Sequence, residues 1–433
     1  MKINDIALLS FFLMLAFFSY FLGSYIGFYI SFSFFLIFFT FKTDKINARF
    51  ISIFFFMYFS IPFLNISTYR GEVDIQVMGL YALTQFLILL MMTLFEKGRS
   101  KPVALYGFVS TGSTELMFWC QMIIIYMMVL YVYSSIGVIL IRQDLRFTIS
   151  PAIEYIIKSG LVLPLIWIFS YNFRPSSIEA IKKLVLPILP SILIGSRGTF
   201  IMIVISVMVA MYMFRVFGPS DFVKRYYFIF RKSKRYLIVA SVLGVLALYT
   251  GFYIRRDGEE LITANELLFE YEFISSSLWV KAILPLYIGL RESVGITNRI
   301  IMDDIYNPAD YPMFFMEMIT FLPGHQEAPG IVLARDIYMA SGSDEKYSLT
   351  PGILGGLYID YGMLSVLYIV IIASIIIYIF NKGISDLKYR MIYALSIVQF
   401  FHLYHRGFLK LEYFVPYFVV FAYMFTLKKV RLT

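Results

Sequence analysis

Several arginines of this 433-residue chain lie in short, glycine-containing segments between long apolar runs. Charge is costly in a membrane, ~3 kcal/mol at mid-bilayer, so arginines placed there need a reason. The planar guanidinium binds phosphate through two parallel hydrogen bonds. The alternative is that each arginine only snorkels or pairs with an acidic loop. As a group we interpret them as candidates for binding an anion: Arg197 in IGSRGTF, Arg255 and Arg256 in YIRRDGEE, Arg291 in GLRESVG and Arg406 in YHRGFLK.

Candidates for proton transfer lie in one hydrophilic segment. His325 lies in LPGHQEAPG, and Glu327 follows two residues later. A polar loop bracketed by Pro–Gly pairs can present a general base close to a membrane. Asp336 is a further carboxylate of the same segment. The alternative is that His325 is an ordinary exposed loop histidine, and we interpret His402, at a helix end, as interfacial packing.

Motifs for other chemistries are missing from the sequence. It contains no GxxxxGK[ST], no GxGxxG after a strand, no HExxH and no CxxC. Nucleotide hydrolysis and zinc chemistry therefore have no support, and we predict no cofactor, no metal ligands and no nucleic-acid partner. The single cysteine, Cys120, excludes an internal disulfide bond.

Composition decides which elements position these residues. The chain is 60% hydrophobic and 15% charged, with a mean hydropathy of +0.78. Its apolar residues form blocks of about 18–20, the length that crosses a bilayer core. We predict an all-α integral membrane protein of about 12 transmembrane helices, with spans 1–9 in 1–253, a large loop at 254–350 and spans 10–12 in 351–433. The spans are 6–22, 24–41, 50–66, 77–95, 115–141, 153–170, 181–195, 199–217, 236–253, 351–379, 390–404 and 411–427. Span 7 is short and kinked by Pro187 and Pro190.

Basic residues indicate the orientation. With both termini in the cytoplasm, the inside segments hold 23 of the 37 Lys and Arg residues, seven of them in 215–235. This is the positive-inside pattern. The loop 254–350 then lies outside, with 7 basic and 15 acidic residues. Its apolar stretches 278–290 and 311–322 predict short interfacial helices.

Helix polarity brings some of the arginines to helix starts. Even-numbered spans run from outside to inside, so span 8 opens outside at Arg197, span 10 at 348–352, and span 12 after 405–407. Backbone N–H groups at a helix start, beside an arginine, suit phosphate. We expect these three starts to converge. Tyr358 and Asp360, one to two turns into span 10, are predicted to contact sugars.

At these residues the chain resembles the Wzy-type polymerases of O-antigen and related surface polysaccharides. The resemblance rests on the arginine turn GSRGTF at 195–200, the long loop 254–350 and the segment SLTPGILGGLYIDYG at 348–362. YHRGFLK at 404–410 is similar to the arginine-bearing last external turn of some members. The predicted topology of the whole chain is similar to that of this family, whereas the motifs cover about 40 residues. Motifs in this family are degenerate.

The resemblance implies a function. Such enzymes polymerise undecaprenyl-diphosphate-linked oligosaccharides at the periplasmic face of the bacterial inner membrane, with no nucleotide, metal or other cofactor. Arg197 and Arg406 would hold the diphosphate, aided by Arg255 or Arg256, while His325, Glu327 or Asp336 would assist the acceptor hydroxyl. The implied partners are lipid-linked oligosaccharides, membrane lipid and a chain-length regulator protein.

Three other functions are compatible with the sequence. An O-antigen ligase has nearly the same topology but transfers finished glycan to lipid A. A lipid-linked oligosaccharide flippase usually has repeated halves and charges within its spans, whereas the arginines here lie at span ends. A membrane acyltransferase would have a histidine within its helices.

Overall fold

A computed structural model describes residues 3–64, 72–97, 105–137, 149–169, 181–194, 197–217, 278–306, 312–316, 318, 328–338 and 349–432. The described chain is mostly helical, as predicted. It divides into two compact units. Unit 1 contains Met1–Gly98, Tyr249–Tyr378 and Phe400–Leu409, and unit 2 contains Arg99–Leu248, Ile379–Gln399 and Lys410–Thr433.

Six helical stretches among the described residues are long and apolar enough to cross a membrane: Tyr25–Lys42, Ile46–Leu64, Ile75–Phe95, Gly112–Ser135, Pro151–Phe169 and Gly352–Gly383. Asp5–Phe21 and Leu411–Met424 are shorter apolar helices. Helices also lie at the other predicted span positions except 236–253, which is outside the described residues. A membrane protein is therefore supported, whereas a count of twelve spans stays a prediction.

Four consecutive helices begin unit 1: α1 (Ile3–Phe21), α2 (Tyr25–Lys42), α3 (Ile46–Ser60) and α4 (Ile75–Phe95). Phenylalanines pack between them, and the rings of Phe32 and Phe59 lie 4.7 Å apart. The turn between α1 and α2 needs Gly23, whose φ is +66°, a value that glycine adopts without strain. Helix α3 begins four residues before the predicted span 3.

The remaining helices of unit 1 include three from the predicted loop: α10 (Leu278–Met302), α11 (Met313–Met316) and α12 (Pro329–Tyr338). They are followed by α13 (Gly352–Tyr361), α14 (Ser365–Gly383) and α15 (Leu387–Arg406), of which the last two contribute residues to both units. Helix α10 extends well past the predicted stretch 278–290. Within the predicted stretch 311–322 the described residues are 312–316 and 318, and α11 covers four of them.

The predicted continuous span 351–379 is broken. Helix α13 ends at Tyr361, a short 3-10 turn follows at Gly362–Leu364, and α14 starts at Ser365. Gly362 permits the break, because its φ is +55°. The 19 residues of α14 can cross a bilayer core unaided, since they rise about 28 Å at 1.5 Å per residue. Eight of the ten residues of α13 are buried.

Unit 2 contains α5 (Gly112–Ser135), α6 (Pro151–Ser159), α7 (Leu163–Phe169), α8 (Leu189–Leu193), α9 (Arg197–Phe217) and α16 (Val415–Met424). The prediction that span 7 is irregular is confirmed, because a five-residue π-helical turn at Ile181–Val185 precedes the short helix α8. Strands β1 (Leu105–Val109) and β2 (Lys428–Leu432) pair antiparallel. This two-stranded sheet was not predicted, and the rest of the described secondary structure is helical, in accord with the all-α prediction.

Candidate functional site

Four helix ends of unit 1 meet around α10. The backbone N–H of Asp74, at the start of α4, donates to Asn298 Oδ1 at 2.8 Å. Arg291 Nη1 donates to the carbonyl of Pro62, just after α3, at 2.6 Å. The start of α13 and the end of α15 are the other two helix ends. We call this region of unit 1, where the four helix ends meet, the Arg406 end. The predicted topology, which stays a prediction, assigns all four helix ends to one side of a membrane.

The first turn of α13 and the turn after α15 touch through their backbones. A Cβ at Gly407 would lie 2.6 Å from the carbonyl oxygen of Gly352, which real Cβ atoms do not tolerate. Gly407 and Gly352 have φ values of +90° and +65°. The segment 405–407, which precedes the predicted span 12, therefore meets the start of α13. The helices of spans 8 and 12 begin at Arg197 and Val415 in unit 2, so convergence of the three helix starts stays a prediction.

Arg406 is the last residue of α15 and precedes this glycine contact. Its side chain is exposed and forms no ion pair or hydrogen bond with another residue of the described ranges. Because Arg406 is exposed, its guanidinium can donate two aligned hydrogen bonds to a phosphate at this end of unit 1. Arg406 is thus the predicted arginine whose described environment suits an anion.

Arg291 has a different environment. Its side chain is fully buried, and it bonds the end of α3 through Pro62. Burial lowers the pKa of Arg291, while Tyr287 and Tyr25 beside it act in the opposite direction. A residue enclosed in this way is not available to a ligand, so the geometry gives Arg291 a structural role instead of the predicted one in diphosphate binding.

Asp360 caps a helix, a structural role that was not predicted from the sequence. Its two carboxylate oxygens accept the backbone N–H groups of Met313 and Phe314 at 2.8 and 2.7 Å, and so cap α11. The N–H of Leu409 donates to the carbonyl of Phe314 at 2.9 Å, which joins α11 to the turn after Arg406. Tyr358 is 8% exposed. The predicted sugar contacts of Asp360 and Tyr358 would need ligand access at this buried corner.

The other predicted site residues cannot be placed in this geometry. Arg255, Arg256, His325 and Glu327 lie outside the described residues. Asp336 is in α12 and Arg197 is the first residue of α9, and for both residues the structure describes the backbone alone.

A group of buried polar side chains at the Arg406 end was not predicted from the sequence. Gln85 Nε2 donates to Tyr404 Oη at 3.2 Å, and the hydroxyl groups of Tyr81 and Thr297 lie 3.1 Å apart. The Tyr58 ring lies 5.2 Å from that of Tyr404 and 6.0 Å from that of His405. One signal was visible in the sequence, because Gln85 interrupts a long apolar helix.

Two lysine ion pairs of unit 2 were also not predicted from the sequence. Lys158 pairs with Glu154 at 2.9 Å and with Glu412 at 2.5 Å. Lys183 pairs with Glu115 and lies over the Phe118 and Trp167 rings, 4.1 and 3.9 Å from their centroids. The i, i+4 spacing of Glu154 and Lys158 is the only sequence signal for either group.

No protein-family model, curated protein or solved structure matches this chain. A functional assignment therefore depends on the geometry of the chain's own residues.

Proposed function

We propose that the chain is a membrane glycosyltransferase that polymerises undecaprenyl-diphosphate-linked oligosaccharide repeat units at the periplasmic face. The observation that carries this proposal is Arg406, an exposed arginine that directly precedes Gly407, the residue packed against the start of α13. A lipid diphosphate is an anion held at a membrane surface, which matches a cation placed at helix ends of an apolar bundle. The predicted resemblance to Wzy-type polymerases points to the same substrate.

The proposed reaction transfers the growing chain. A hydroxyl oxygen of the acceptor repeat attacks the anomeric carbon of the donor, and the bond from that carbon to the diphosphate oxygen breaks. Undecaprenyl diphosphate leaves with the electron pair, and the hydroxyl proton passes to His325, Glu327 or Asp336. Arg406 and Arg197, with Arg255 or Arg256, would stabilise the negative charge that develops on the leaving group.

The glycan profile of a deletion strain tests the proposal. Loss of a polymerase leaves acceptors that carry one repeat unit. Loss of a ligase leaves uncapped acceptors, and loss of a flippase keeps the repeat unit in the cytoplasmic leaflet. A profile with normal long chains would overturn the assignment altogether.

Arg406 can be tested in the same strain. We expect Arg406→Ala and Arg406→Lys to slow chain formation by about a hundredfold, because lysine does not reproduce the two aligned donors. Arg299→Ala is the matched control, since Arg299 is an exposed arginine of unit 1 that pairs with Asp303 at 3.2 Å. Membrane abundance is measured for each variant, and normal polymer made by Arg406→Ala would contradict the role given to Arg406.

A further inference from the structure

Helix α16 of unit 2 carries an exposed aromatic stripe that ends near two lysines. Phe418, Phe421 and Phe425 follow one another at helical spacing, and all three rings are exposed. Phe425, in the turn after α16, is 91% exposed, more than any other large hydrophobic side chain of the described residues. Lys388 Nζ lies 5.7 Å from the centroid of the Phe421 ring, and Lys428 begins β2. We call these five residues the Phe425 surface.

The turn that carries Phe425 is held in place by the start of α5. The carbonyl oxygen of Thr426 accepts hydrogen bonds from the hydroxyl groups of Thr111 and Thr114 at 2.8 and 3.0 Å. Pairing of β2 with β1 fixes the residues that follow. The exposed ring is therefore presented by a backbone that is already fixed, so binding of a ligand does not require the turn to become ordered.

The two lysines of the Phe425 surface have no acidic partner. Neither Lys388 nor Lys428 forms an ion pair with a residue that the structure describes. Asp386, the acidic residue closest to Lys388 in sequence, accepts the backbone N–H of Lys388 at 2.8 Å and so caps α15. Lys429 is a further exposed cation of β2. The surface therefore combines an apolar stripe with an excess of positive charge.

These two properties restrict the occupant. It has to offer apolar groups to three phenylalanines of an apolar helix and an anionic group to the lysines. An acidic protein segment provides the anionic group but leaves the stripe uncovered, and a zwitterionic phospholipid brings a cation close to the lysines. A phospholipid of net negative charge meets both requirements, and basic residues next to an apolar helix attract such lipids.

We propose that the Phe425 surface binds an anionic phospholipid of the bilayer. An acyl chain lies along Phe418, Phe421 and Phe425, and the phosphate contacts Lys388 and Lys428. The site belongs to unit 2 and does not rest on the proposed glycosyl transfer. Because a ligand that binds only the folded state stabilises it, the protein should be more stable in membranes that contain this lipid.

Native mass spectrometry of the full-length protein tests the site. The protein is released from micelles that contain equal amounts of phosphatidylglycerol and phosphatidylcholine, and the wild type should retain phosphatidylglycerol in preference. We expect Lys388→Gln and Lys428→Gln each to weaken phosphatidylglycerol binding about fivefold, the effect of one lysine at an anionic membrane surface. Binding of phosphatidylcholine should not change. Phe425→Ala should weaken binding of both lipids, because the apolar contact that it removes does not depend on the headgroup.

Lys42→Gln is the matched control and should bind phosphatidylglycerol like the wild type. Lys42 also lies over a ring, 5.3 Å from the centroid of Phe38, but it pairs with Asp5 at 3.0 Å. If one lysine variant does not fold, the other decides the matter. Unchanged phosphatidylglycerol binding by the folded variants of Lys388 and Lys428 would overturn the site. Equal retention of both lipids by the wild type would also overturn it, and so would an equal loss of both lipids from the lysine variants.

Discussion

Arg291 and Arg406 lie at the same end of unit 1 in opposite surroundings. Arg291 is enclosed and satisfied by a backbone carbonyl, whereas Arg406 is exposed and forms no bond within the described ranges. A buried, satisfied guanidinium stabilises the structure that surrounds it, because removal leaves the acceptor without a donor. An exposed one contributes little to stability and remains available to a ligand.

This contrast predicts opposite effects of substitution. Arg291→Met should lower the free energy of unfolding by about 1–3 kcal/mol, because the carbonyl of Pro62 loses its donor. Arg406→Met should leave stability unchanged and weaken diphosphate binding. Thermal unfolding in detergent and binding of undecaprenyl diphosphate measure the two effects. An Arg291→Met protein of normal stability that fails to bind diphosphate would restore the ligand role of Arg291.

Arg197 provides a second test of the need for a guanidinium. It is the first residue of α9 and precedes Gly198, which allows a ligand to approach the backbone. We expect Arg197→Ala and Arg197→Lys both to reduce turnover of lipid-linked repeats about a hundredfold or more, by analogy with oxyanion donors. A snorkelling arginine would tolerate lysine. Wild-type turnover by Arg197→Lys at equal abundance would show that charge alone suffices.

Residue types and spacing indicated which arginines lie near helix ends, but could not indicate which of them is buried. Burial of Arg291 depends on α10 packing against the end of α3, 229 residues away along the chain. The hydrogen bond from Gln85 to Tyr404 joins residues that are 319 positions apart along the chain, so this polar group could not be derived from local patterns.

At the scale of elements, helix termini are capped by residues far along the chain. Glu96 accepts the N–H groups of Asn47 and Ala48 at 3.1 Å each, which explains why α3 begins before its apolar run. Arg390 donates to the carbonyls of Phe217 and Gly383, the last residues of α9 and α14, at 3.1 and 2.5 Å. A basic residue that the sequence assigned to topology therefore also completes two helices.

The Glu96 cap predicts a pH-dependent difference in stability. Burial raises the pKa of Glu96, and the N–H groups of Ala48 and Asn47 oppose that shift. The folded state therefore binds the carboxyl proton of Glu96 more tightly than the unfolded chain does. The contribution of Glu96 to the free energy of unfolding falls as the pH rises through its raised pKa. The stability of Glu96→Gln relative to the wild type should therefore increase from about pH 4 to pH 8, a range that brackets a raised carboxyl pKa. Thermal unfolding in detergent across this range measures it, and a pH-independent difference would contradict the raised pKa.

The break between α13 and α14 shows the limit of apolar patterning. Residues 351–379 are almost uniformly apolar, so periodicity predicts one helix. The structure ends α13 where Asp360 turns to cap α11 and Gly362 adopts a positive φ. Glycine alone did not decide the matter, because Gly355 and Gly356 lie inside α13 without breaking it.

For the whole molecule, apolar length predicted where most helices lie, because crossing a bilayer demands a nearly fixed number of apolar residues. The side of the membrane stays a prediction. A reporter active only in the periplasm should be active when fused within 254–350 and silent within 218–235. The seven basic residues of 215–235 and the acidic excess of the loop are the reason. The reverse pattern would place the Arg406 end in the cytoplasm and remove the proposed substrate.

The pairing of β1 with β2 has a consequence for biosynthesis. Val109 pairs with Lys428, so β1 leaves the ribosome 319 residues before its partner begins. At about 5–20 residues per second, that interval is roughly 15–65 s. During this time β1 has no strand to pair with, and its exposed backbone edge can recruit another chain. Closure of this sheet is thus among the last events of folding, and a nascent chain stalled before Lys428 would need a chaperone to cover β1.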